Sequence, residues 1–224
     1  MDNNIIVFLF TWTPFLLEGF MWNIIIAIFA VSLGSIIGGY LAWIGITKTG
    51  KAADIAAFIS RFFRNIPTLA FMFYVAFVVP QEFSLPFFDQ QVHMPFWIKA
   101  MIGLSASSIG FTSESLKVAF KAWRKKDYDA ALLFFPTWAN SFVISFVASS
   151  TASLVGVSEI VSRANFLIAA SGNHVMIPVY LYSGLFFIVT SLLIFKLINK
   201  LKDTNFIKDL PKKIAVRYPH FQSI

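Results

Sequence analysis

The chain has no cysteine. Disulfides, thiolate metal sites and cysteine nucleophiles are therefore excluded, and the redox compartment stays open. Charge is scarce as well: Asp, Glu, Lys and Arg make up only 13% of the 224 residues, against 58% hydrophobic residues and a mean hydropathy of +0.74. A water-soluble domain carries about twice that share of charge, so lipid is part of the solvent. Histidine is almost missing: His93, His174 and His220 stand far apart, with no i,i+4 pair and no metal-type pairing to a neighbouring carboxylate. No HExxH, GxSxG, P-loop or GxGxxG occurs. Any phosphate handling has to come from another polypeptide.

The net charge of +7 is spread between and after the apolar runs rather than gathered in one stripe with interleaved aromatics, which argues against nucleic acid as a partner. Charge-free runs then give the membrane spans, because an ionised side chain at the bilayer centre is costly and about 20 apolar residues cross the hydrocarbon as a helix. Such runs lie between Glu18 and Lys48, Arg64 and Glu82, Asp129 and Glu159, and Arg163 and Lys196. A weaker one, residues 94–113, suffices if Lys99 reaches to the headgroups and Trp97 anchors the interface. Residues 5–17 are apolar and aromatic but interrupted by Thr11, Thr13 and Pro14, and read as an interfacial helix. No basic stretch precedes them and no small-residue cleavage site follows, unlike a signal peptide.

Short loops rich in Lys and Arg stay in the cytoplasm. All such residues except Lys99 and Arg163 fall after the first span, after the third, or in the tail. With five spans, the N-terminus is therefore expected outside and the C-terminus in the cytoplasm. The expected division is an extracytoplasmic interfacial segment 1–19, a five-helix domain 20–200 with a cytoplasmic loop region about 117–135, and a basic cytoplasmic tail 201–224.

Within the first span Ala30, Gly34, Gly38 and Ala42 recur every four residues and make one helix face smooth enough for another backbone. Asn23, near the outer end, either bonds across helices or reaches water. The fourth run contains Pro136 a few residues in, followed by Thr137, Asn140, Ser141, Ser145, Ser149, Ser150, Thr151 and Ser153. A proline-broken helix with that polarity suits a transport pathway, with Asn140, Ser145, Ser149, Ser150 and Thr151 as candidates; serines bonding back to their own helix are the alternative. Glu114 ends the third span and is expected to face water or pair with Lys117 or Lys121.

Several stretches follow one another in a recognisable order. Pro14-Phe15-Leu16-Leu17-Glu18-Gly19 precedes the glycine-punctuated span, and Phe62-Phe63-Arg64-Asn65-Ile66-Pro67-Thr68-Leu69 opens the second. Ser113-Glu114-Ser115-Leu116-Lys117 leads through Lys125-Lys126-Asp127-Tyr128-Asp129-Ala130-Ala131-Leu132 to Pro136, Asn140 and Phe142, and then to Val155-Gly156-Val157-Ser158-Glu159-Ile160. This order resembles the permease subunits of polar amino-acid ABC importers, five-helix proteins that serve binding-protein-dependent uptake. The resemblance implies an all-α integral membrane fold of the type I importer permease class, with five transmembrane helices after a short N-terminal interfacial helix. It implies no catalysis by this chain: ATP and Mg are bound by a partner ATPase. Implied partners are a second permease subunit, an ATP-binding subunit dimer, an extracytoplasmic substrate-binding protein and the lipid of a bacterial cytoplasmic (inner) membrane.

Asp129-Ala130-Ala131 stands where that family has Glu-Ala-Ala, so Arg124, Lys125, Lys126, Asp127, Asp129, Ala130 and Ala131 become the candidate ATPase-coupling residues. A solvated lysine-rich loop is the plainer reading of the same residues. Phe135 replaces the family's following glycine, and the amphipathic stretch before the fourth span is missing, about one coupling helix of chain. The family's Asn-Glu-Phe is Asn140-Ser141-Phe142 here, and its Lys-Asp-Thr-Ser is Val147-Ala148-Ser149-Ser150. These losses point to a heterodimer whose other half carries the charged contacts, or to a scaffold that kept the fold and lost coupling. Gly38→Leu is expected to disturb the pairing of permease subunits.

Overall fold

The computed structural model describes residues 2–84, 91–202, 204 and 211–213. Most of the tail 201–224, including Lys208 and Arg217, lies outside the described residues.

The first helix, α1 (Asp2–Thr47), runs 46 residues without interruption. At about 1.5 Å per residue it is roughly 69 Å long, about twice the hydrocarbon thickness. The interfacial segment expected as a separate helix is the beginning of this rod. Pro14 removes one backbone donor without breaking it, and Thr11 and Thr13 donate their hydroxyls back to Val7 O and Leu9 O at 2.8 Å.

An amphipathic α2 (Lys51–Asn65) follows Gly50, whose φ of 70° suits glycine. It ends because Ile66 precedes Pro67 and is held extended. The helix of the expected second span starts only after Pro67 and is short: α3 (Thr68–Val78) has 11 residues. A hairpin of β1 (Glu82–Ser84) and β2 (Gln91–His93) pairs antiparallel, an addition to the all-helical expectation. The long α4 (Phe96–Arg124) carries the third expected span well past Ser113. Then come a five-residue α5 (Tyr128–Leu132), α6 (Phe134–Ala148) and a 3-10 segment (Ser149–Val155). The fifth run is divided, into α7 (Ile160–Ser171) and α8 (Met176–Lys202), with Gly172 at φ 98° between them.

Among the described residues, three helical stretches are long and apolar enough to cross a membrane: Ile5–Thr47, Tyr128–Val155 and Asn173–Leu201. Only 6% of the most apolar stretch of the last is buried within the chain, so its side chains are left for lipid or for another protein. The chain is a multi-pass membrane protein.

Contacts divide it into two compact units. Unit 1 comprises residues 1–30, 67–104 and 145–191. Its core gathers Ile26, Ala30, Met72, Ala76, Ala100, Leu104, Ala152 and Val155. An aromatic cluster of Phe20, Phe146 and Phe187 has ring centroids 5.1–5.7 Å apart, the spacing at which tilted rings attract. Unit 2 comprises residues 31–66, 105–144 and 192–224. There Leu41, Ala56 and Ile109 are buried, with Ile37, Ile44, Ile59 and Phe63 packed around them.

Candidate functional site

In unit 2 the small-residue face of α1 is filled by α4 of the same chain. A Cβ added at Gly34 would lie 2.4 Å from the Ser108 Cβ, and one at Gly38 would lie 2.5 Å from the Ile109 carbonyl oxygen. Neither position has space for a methyl group. Ala42 is buried farther along α1, and Ala30 belongs to the core of unit 1. The pairing expectation for Gly38→Leu is thereby corrected: the first casualty of a leucine is the α1–α4 contact inside the subunit. Gly110 repeats the device with α2, where an added Cβ would stand 2.6 Å from the Arg64 Cα. Glu114 takes Arg64 as its ion-pair partner, across 50 residues of sequence, rather than Lys117 or Lys121.

The candidate coupling residues form an exposed turn built by two caps. At the end of α4, Asp127 N donates to Ala122 O and Lys126 N to Trp123 O, both at 3.0 Å, with Lys126 left-handed at φ 62°. That pattern satisfies the last carbonyls of a helix and normally recruits glycine. Asp127 then caps α5, its Oδ1 accepting from Ala130 N at 3.1 Å. Arg124, Lys125, Lys126, Asp127 and Asp129 are exposed, while Ala130 and Ala131 are half-buried. Behind the turn Trp123 is buried and donates its Nε1–H to Pro211 O at 2.9 Å.

The pathway candidates divide between the units. Asn140 is exposed on α6 in unit 2, whereas Ser145, Ser149, Ser150 and Thr151 belong to unit 1. Pro136 does not break the helix: it sits in the first turn of α6, where helical N–H groups have no carbonyl to meet anyway. The irregularity comes later, where the chain tightens into the 3-10 segment. Ser149, Ser150 and Thr151 donate to Phe146 O, Val147 O and Ala148 O at 2.6–2.8 Å, so their hydroxyls serve their own backbone.

Unit 1 contains a polar centre that charge patterning alone did not reveal. Asn23, Ser149 and Glu159 are wholly buried. Asn23 Nδ2 donates to Glu159 Oε2 at 2.9 Å and to Ser149 Oγ at 3.0 Å, and its Oδ1 accepts from Ile160 N at 3.2 Å. Glu159 also caps α7, accepting from Val161 N and Ser162 N at 3.1 and 3.0 Å. Four residues later Arg163 Nη1 donates to Glu18 Oε2 at 2.7 Å and to Phe15 O at 3.0 Å, with its guanidinium 4.7 Å from the Phe15 ring centre. Gly19 makes room for it, since a Cβ there would lie 2.7 Å from the Arg163 Cδ.

Lys99, expected to reach outward, is buried instead. Its Nζ donates to Ala76 O at 3.2 Å and to Val79 O at 2.6 Å, closing the carbonyl end of α3. A cation on the negative end of a helix is favourable, and here it replaces hydration.

No protein-family model matches the chain. A chain in the crystal structure of an amino acid ABC transporter with histidines superposes with a TM-score of 0.74, over 88% of this chain and 96% of that one, at 15% identity. The two chains share a fold.

Proposed function

We propose that the chain is the transmembrane subunit of an ATP-driven importer and forms, with a second permease subunit, the translocation pathway for a polar amino acid. The observation that carries this reading is the likeness in fold to an amino acid ABC transporter chain over 88% of the sequence. The Arg64-to-Pro67 stretch, Asp129-Ala130-Ala131 and residues 155–160 add to it through their resemblance to the importer permeases. In this reading α1, α6 with the 3-10 segment that follows it, and α8 cross a bacterial inner membrane, and α3 and α4 supply the other two of five crossings, α3 being too short to span the hydrocarbon without its flanking residues. The N-terminus is outside, and the hairpin and α7 lie on the outer side.

The exposed turn from Arg124 to Ala131 then meets a separate ATP-binding subunit, which holds ATP and Mg, and an extracytoplasmic binding protein delivers the substrate. A rigid α4 ending in a doubly capped turn is mechanically suited to pass a push from the ATPase into the helices. Among the pathway candidates Asn140 keeps its side chain exposed, while Ser149, Ser150 and Thr151 have committed theirs to backbone carbonyls.

The length of α5, five residues, favours a second reading: a membrane scaffold or regulatory subunit that keeps the permease fold without transporting. Bulky substitution separates the two. Ala130→Trp is expected to lower recovery of the ATP-binding subunit with the purified complex about tenfold, the effect of disturbing an interface centre. Unchanged recovery favours the scaffold.

A further inference from the structure

Two adjoining cavities lie in unit 2, beside the lysine-rich end of α4. The larger, about 480 Å³, is lined almost wholly by apolar side chains, among them Ala42, Trp43, Ala119, Trp123 and Phe135. The smaller, about 340 Å³, is lined by Lys117, Lys121 and Arg124 with a single carboxylate, Asp54. Ile46 and Phe120 line both, so the apolar and the basic spaces share a wall.

The sequence builds this juxtaposition directly. Positions 117, 121 and 124 recur at helical spacing and place three cations on one face of α4. Gly45 leaves α1 bare where the lysine stem crosses it, for a Cβ there would stand 2.8 Å from the Lys117 Cε and 3.2 Å from its Nζ. One acid against three bases leaves the smaller cavity with an excess of positive charge.

We infer that these cavities form one binding site for an anionic phospholipid, with its phosphate at Lys117, Lys121 and Arg124 and an acyl chain in the cavity between Trp43 and Trp123. The pairing selects the occupant. A soluble anion needs only the basic space, and a neutral lipid only the apolar one. An amphiphile with an anionic head uses both across the shared wall, and basic pockets at helix ends in membrane proteins hold such headgroups. Buried methylenes supply most of the affinity, while the cations supply the preference among lipids. The inference rests on the chain being embedded in lipid; Arg124 is shared with the turn proposed to meet the ATP-binding subunit, so lipid binding is read on the chain without that partner.

The test titrates brominated phosphatidylglycerol or brominated phosphatidylcholine into the detergent-solubilised full chain and follows tryptophan fluorescence. Saturable quenching is expected, at a half-point about tenfold lower for phosphatidylglycerol. Trp43→Phe with Trp123→Phe should remove that saturable part. Lys117→Gln with Lys121→Gln should bring the phosphatidylglycerol half-point up to the phosphatidylcholine value, and Lys117→Arg with Lys121→Arg, which keeps both charges, should restore the preference. Equal half-points for the two lipids in the unmodified chain overturn the proposal. So does saturable quenching that survives loss of both tryptophans, or a lipid preference indifferent to the lysines. Protection of Trp43 and Trp123 by self-association of the chain, with no quenching by either lipid, also overturns it.

Discussion

Units 1 and 2 solve the same problem, holding helices together where lipid removes much of the hydrophobic incentive, with different materials. Unit 2 relies on closeness. Gly34, Gly38 and Gly110 bring backbones to distances that a single methyl group would forbid, and dispersion over the touching surfaces does the holding. Unit 1 uses close approach too, with Gly103 against Met72, but adds wholly buried ionisable side chains that are met by N–H groups or carbonyls. The Glu159 carboxylate accepts from three N–H groups and Lys99 donates to two carbonyls. A buried charge left without such partners costs several kcal/mol. Closeness therefore fails on size, whereas the polar centre fails also on the loss of a partner.

The largest effect expected from that contrast is at Gly38. Gly38→Leu should lower stability by about 3 kcal/mol or more, because the clash is with backbone and α1 must move away from α4. Unfolding in mixed micelles measures it, and Gly38→Ala should already be clearly destabilising. Next comes Glu159→Ala, which strands Asn23 and the first N–H groups of α7 and should cost about 3 kcal/mol. Glu159→Gln should recover only part of that loss, as the amide presents one acceptor oxygen where the carboxylate presented two. The smallest effect has the opposite sign. Lys126→Gly relieves a left-handed lysine at the end of α4 and should raise stability by about 0.5 kcal/mol, once the extra freedom of the unfolded chain is discounted.

Much of the helix inventory was legible in the sequence, because a bilayer converts the absence of charge into position. The apolar run ending at Lys48 lies within α1, and the one ending at Lys196 finishes within α8. Hydropathy failed where local backbone chemistry intervened, as where Gly172 divides α7 from α8 within one apolar run. It also undervalued α4, the weakest run by composition. The serines and glycines that lower its hydropathy are the residues that let α1 and α2 approach it. The charged residues were the hardest to place. Lys99, Glu159 and Arg163 read as boundary markers, since a sequence does not display which helix end or amide will lie beside them after folding. Asn23 was noticed as a group able to bond across helices, and its partners are 126 and 136 residues away. The turn from Arg124 to Ala131 was singled out from its sequence motif, while its two caps, made by Asp127 and the left-handed Lys126, required the backbone.

The central claim, that the Arg124 to Ala131 turn meets an ATP-driven partner, is most directly tested by cross-linking from Asp129. Since the chain has no cysteine, Asp129→Cys provides a unique handle for a thiol-to-amine cross-linker in intact membranes. The account predicts an adduct with an ATP-binding subunit, identified by mass spectrometry. An introduced thiol that reacts with soluble maleimide from the cytoplasmic face yet yields no such adduct would contradict it.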